Sequence, residues 1–83
     1  MVRDRQKVLG RFVIETPDGH RQEVRVIGEG GRVTFDYPYN HIVDPENSDT
    51  SEGWHRELML LLGDAASDIR TIRFEYPHQF TTN

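Results

Sequence analysis

Val33-Thr34-Phe35-Asp36-Tyr37-Pro38 and Ile72-Arg73-Phe74-Glu75-Tyr76-Pro77 spell nearly the same pattern. Each reads β-branched, polar, Phe, acid, Tyr, Pro. Strand alternation puts Val33, Phe35 and Tyr37 on one face, and Ile72, Phe74 and Tyr76 likewise. Proline has no N–H for a ladder, so each strand stops at the same place. With the two strands parallel, both ends would emerge at one sheet edge. Tyr37, Tyr39, Tyr76, His78 and Phe80 would then form an aromatic rim.

Working backwards from Val33, the sequence predicts two earlier strands. The first spans Lys7 to Glu15, with Val8, Gly10, Phe12 and Ile14 facing inward and Leu9, Arg11 and Val13 outward. Pro17-Asp18-Gly19 is a turn, because Pro presets φ and Gly takes the left-handed corner. The second strand spans Arg21 to Ile27, with Val24 and Val26 inward. Gly28-Glu29-Gly30-Gly31 then leads by a hairpin into a third strand, Arg32 to Tyr37.

Working forwards, Pro38 to Ser51 is a polar connection, long for so small a domain and of a kind that is usually functional or mobile. Asp49, with Glu52 three residues on, makes an acidic variant of the capping box at a helix start, with Thr50 or Ser51 as the alternative cap. Trp54, Leu58, Leu61, Leu62 and Ala65 share one helical face, and Gly63 stops the helix. A last strand covers Ile69 to Tyr76. The order β-β-β-α-β predicts an α+β two-layer sandwich. Its four-stranded mixed sheet would run in the order 3-2-1-4, with one helix packed on one face and the last strand parallel to the first. Residues 1–83 form a single domain, with 1–6 and 79–83 as loose ends.

The other sheet face is mostly polar in this arrangement, apart from Leu9, Val13 and Ile27. Clustered, these three would be an apolar patch with a charged surround, a possible oligomer face.

Composition narrows function mainly by exclusion. Val, Leu, Ile and Phe number 21 of 83 residues, enough for a core but with little to spare. A net charge of −4 disfavours nucleic acid as a partner. Basic residues gather at Arg3, Arg5, Lys7 and Arg11, and acids at Asp44, Glu46, Asp49, Glu52 and Glu57. Without cysteine there is no disulfide framework and no thiol nucleophile. With no leader-like or membrane-length apolar run, the expectation is a cytoplasmic protein that makes no membrane contact.

His41, Asp44 and His55 are the one set that resembles a two-His, one-carboxylate metal site. Helix capping explains the carboxylates as well, and no cofactor or metal is expected. Asp44, Glu46, Ser48, Thr50 and Glu52 alternate as oxygen ligands do in a calcium loop. However, Asp49 and His55 stand where such a loop needs glycine and a second acid. Gly28 to Gly31 precedes a strand and lacks the Lys-Ser/Thr ending of a phosphate loop. No nucleophile elbow accompanies Ser48, Thr50 or Ser51.

The expectation is a non-enzymatic protein-binding module: a regulator, inhibitor or accessory subunit of a larger protein. It would bind a protein partner with a basic surface through Tyr39, His41, Asp44, Glu46, Asp49, His78 and Phe80. An acidic loop at a basic groove is a strategy that some phage-encoded inhibitors use. The alternatives are a homodimer or larger homo-oligomer built by sheet face or edge strands, and a small metal-dependent enzyme using His41, Asp44 and His55.

Overall fold

The computed structural model describes residues 6–37 and 39–80. The strands are β1 (Lys7–Glu15), β2 (Arg21–Glu29), β3 (Arg32–Phe35), β4 (His41–Ile42) and β5 (Thr71–Glu75), and the one α-helix is α1 (Ser51–Leu62). Short 3-10 turns cover Pro45–Asn47, Gly63–Asp68 and Pro77–Gln79. No helix among the described residues is long and apolar enough to cross a membrane.

The α+β sandwich is present, but its sheet differs from the one expected. It has five strands in the order β4-β3-β2-β1-β5, and every neighbouring pair is antiparallel. The two-residue strand β4 accounts for both differences. His41 and Ile42 fold back along β3 and reverse the chain before the helix begins. The crossover through α1 therefore enters β5 running against β1, not with it. A strand of two residues leaves almost no period-2 signal.

This reversal also undoes the aromatic rim, because β3 and β5 run in opposite directions. Tyr37 borders a cavity beside Leu62 and Ile69 at the end of α1. Tyr76 lies at the β5 edge, three strand spacings away from β3, edge-on to Phe74 at 5.0 Å and nearly parallel to His78 at 6.2 Å. Phe80 lies over the Arg11 guanidinium at 4.3 Å. Pro38, Arg3 and Arg5 fall outside the described residues, as do most of the expected loose ends. Gln79 and Phe80 are described, and their N–H groups bond to the carbonyls of Tyr76 and Pro77.

Strand β1 carries a bulge, since its register against β2 shifts between Val8 and Gly10. One extra residue changes which face the preceding side chains meet. Val8 therefore pairs with Ile27 and is 36% exposed, whereas Leu9 packs against the core. Past the bulge the expected alternation resumes, with Phe12 and Ile14 inward. Gly10 leaves room for a neighbour: a Cβ there would sit 2.1 Å from the tip of the Phe74 ring.

Thr50, the alternative to Asp49, is the helix cap, its hydroxyl accepting from the Gly53 N–H at 3.0 Å. Gly63 ends the helix at φ 57°, a conformation glycine takes freely. Leu58 is fully buried, while Trp54, Leu61 and Leu62 pack partly buried against the core. Ala65 lies beyond α1 and is exposed. The core proper is Phe12, Ile14, Val24, Val26, Val33, Phe35, Val43 and Leu58.

Candidate functional site

The segment from Val43 to Thr50 is the later part of the polar connection Pro38 to Ser51, and it is tied down at both ends. Val43 is buried, and its N–H bonds the Val33 carbonyl at 2.8 Å. Asp44 then opens a 3-10 turn, accepting from the Glu46 N–H at 2.9 Å, with Pro45 at the first turn position. The Ser48 hydroxyl donates to the Pro45 carbonyl at 3.0 Å. The Trp54 indole N–H reaches back to the Ser48 carbonyl at 2.9 Å. Gly53 lets the helix start press on this turn, since a Cβ there would meet the Asn47 carbonyl oxygen at 2.4 Å. Glycine inside a helix costs about 1 kcal/mol, and here it provides close contact with the loop.

Glu57 is the hub of the arrangement. It is a carboxylate only 8% exposed, on the inner side of α1. One oxygen pairs with His41 Nε2 at 2.6 Å, and the other accepts from Asn47 Nδ2 at 2.9 Å. The Asp44 N–H bonds it as well. Arg56 adds a hydrogen bond to Asn47 Oδ1 at 3.0 Å. Burial pushes the Glu57 carboxyl up, but the bonds from Asn47, His41 and Asp44 outweigh it and hold the group below its ordinary value. Among the described residues, no buried side-chain polar atom lacks a hydrogen-bond partner. Hydrogen bonds of this charged kind stabilise more than neutral ones, so strand β4, the loop and the helix are fastened at one point.

The clamp leaves Asp44, Glu46 and Asp49 exposed, with Glu52 in the first helical turn beside them. The loop is thus a framed acidic surface with no free middle. Tyr39, 59% exposed, stands beside His41 at 6.0 Å between rings. His78 and Phe80 lie on the β5 side of the molecule and do not join this surface. Of the three proposed oligomer-face residues, Leu9 packs inward, Val13 is 1% exposed and Ile27 is half-buried. Val13 sits beneath charged side chains, for Arg11 bonds both Glu23 and Glu75, and Arg73 bonds Glu75.

The metal-site trio is not brought together. His41 faces Glu57 and the Phe35 ring, whereas His55 is exposed and lies 6.0 Å from the Phe12 ring. Among the described residues no group of three His, Asp or Glu side chains could hold a metal ion. Glu57 and Asn47, the residues that organise the loop, are missing from the sequence-derived site. Glu57 had a signal: the helix positions four residues either side of it are Gly53 and Leu61, neither of them basic. A carboxylate beside an apolar stripe without a helical partner needs one from elsewhere in the fold.

No family model, curated protein or solved structure is found to match the chain.

Proposed function

We propose that the protein is a non-enzymatic binding module, a regulator, inhibitor or accessory subunit, that offers its clamped acidic loop to a protein with a basic surface. The observation that carries this reading is the Glu57 hub. A carboxylate is buried and fully bonded to hold a loop whose own acids all point outward. Holding a loop in one shape lowers the ordering cost of binding. Exposed charges on a rigid frame steer a basic partner and raise its association rate. Tyr39 at the margin of this surface adds an exposed aromatic of the type enriched in binding hot spots.

The test is affinity capture from the source organism with the native chain beside a variant carrying Asp44→Asn, Glu46→Gln and Asp49→Asn. A basic protein held by the native chain, released by salt and lost with the variant supports the reading. Equal capture by both chains would place the contact elsewhere.

A further inference from the structure

The register of the sheet assembles a row that the sequence does not show. On the face opposite α1, Val8 pairs with Ile27, Ile27 with Thr34, and Thr34 with Ile42. The row crosses four strands, roughly 14 Å at three strand spacings. Ile42 is 55% exposed and Val8 36%. The bulge in β1 creates it by bringing Val8 to this face.

The charges on the same face cancel. Arg11, Arg21, Arg25 and Arg73 stand against Glu15, Glu23, Asp36 and Glu75. Arg11 is bonded to Glu23 and Glu75, and Arg25 to Asp36 at 2.8 Å. Glu29 opposite Arg32 at the hairpin tip adds one charge of each sign. Among the remaining described residues, eight acids face only Lys7, Arg56 and Arg70. The molecule therefore has one neutral face, marked by the apolar row, and an acidic remainder.

We infer that the open sheet face is a self-association surface whose occupant is a second copy of this chain, packed sheet against sheet about a two-fold axis. Charge decides the occupant. Two acidic molecules repel in most orientations, but face to face they join neutral surfaces and turn their acidic sides apart. Most charges on the face are already paired, since Arg11, Arg25 and Arg73 hold Glu23, Asp36 and Glu75, while Glu15 accepts from the Thr71 hydroxyl. Strands β1 and β2 are nine residues long, but β3, β4 and β5 only four, two and five. A rise of about 3.3 Å and a spacing of about 4.8 Å then give a flat footprint of roughly 460 Å², below the ~800 Å² that each partner contributes to a standard interface, so the association is a weak one. Packed sheets of this kind lie about 10 Å apart with their mean strand directions within about 30°. The inference does not rest on the acidic loop, whose carboxylates are not part of the row, although Ile42 shares a cavity with Pro45 and Ser48 of that loop.

Sedimentation equilibrium of the full chain from about 1 µM to 1 mM tests it, spanning the range where interfaces of modest apolar area associate. The native chain should form dimers, and Ile42→Lys and Ile27→Lys should each weaken them at least about tenfold, as expected for an unpaired charge at the contact. Leu60→Lys, on the exposed side of α1, should leave the constant within about twofold. Added salt should tighten the dimer by screening the acidic sides, and the triple loop variant should still dimerise. Ile42 is exposed enough for its variant to fold even if Ile27→Lys does not. A native chain that stays monomeric throughout overturns the inference. So does a dimer that both isoleucine variants leave intact, or one that salt loosens.

Discussion

The two Phe-acid-Tyr-Pro strand ends make a controlled comparison, because their local chemistry is nearly equal and their surroundings are not. In β3, Val33 is 8% exposed and Phe35 not at all, since β2 and β4 flank the strand. In β5, an edge strand, Ile72 and Phe74 are only half-buried. The tyrosines part in the same way, with Tyr37 half-buried and Tyr76 50% exposed. What the two ends share is orientation: each Phe points inward and each acid outward to an arginine. Asp36 binds the Arg25 guanidinium, and Glu75 binds those of Arg11 and Arg73. Pattern sets the side a residue faces, and the number of neighbouring strands sets how deeply it is buried.

The sharpest test of that difference is truncation of the two phenylalanines. Phe35→Ala should cost about 3–5 kcal/mol, as for a fully buried ring, and Phe74→Ala about half as much. Urea denaturation of both variants measures the gap, and equal losses would dissolve the comparison.

Gly10→Ala should come next, at about 1–3 kcal/mol, because the new methyl meets the Phe74 ring and the Glu75 carbonyl. In a double-mutant cycle with Phe74→Ala the penalty should shrink, since the ring is the closer of the two obstacles. Full additivity would mean that the glycine does not serve the β5 contact.

The β3 end is further distinguished by the clamp beside it. Glu57→Gln should cost about 1–3 kcal/mol near pH 7, because it removes the charge that His41 and Asn47 address. The sign of the pH effect follows from the depressed carboxyl. The stability it contributes is present above its ordinary value of 4.5 and is lost as the pH falls through the lower folded value. Denaturation curves between pH 3 and 7 should therefore fall less steeply on the acid side for Glu57→Gln than for the native chain. Parallel curves would deny the clamp its electrostatic part.

The smallest effect should be at the exposed tyrosine. Tyr76→Ala should change stability by under about 1 kcal/mol, whereas Tyr37→Ala, beside Leu62 and Ile69, should cost more in the same thermal melt. A reversal of that order would make the β5 end the better packed of the two.

Much of this architecture is legible in the chain because it is local. The Pro17-Asp18-Gly19 turn, the glycine hairpin after β2, the Thr50 cap and the Gly63 stop each depend on a few adjacent residues, and so does the inward run of Val24, Val26 and Leu58. The acidic loop is legible as composition, but its rigidity is not. That comes from Glu57, fourteen residues beyond Val43 in sequence, and from His41 and Asn47 meeting it through the fold.

Three features were decided only by tertiary structure, and for one reason. A two-residue strand at His41–Ile42 reversed the direction of β5, a single bulge exchanged Val8 and Leu9 between faces, and together with the sheet register that bulge built the row from Val8 to Ile42. Each is an offset of one or two residues whose local free energy is small, so no local pattern announces it. Pairing across strands multiplies such an offset, because every side chain beyond it changes face or partner. The amino-acid sequence by itself determined which segments are strands and helix and which faces are apolar. How the strands are joined, and what each face then presents, was determined by long-range pairing.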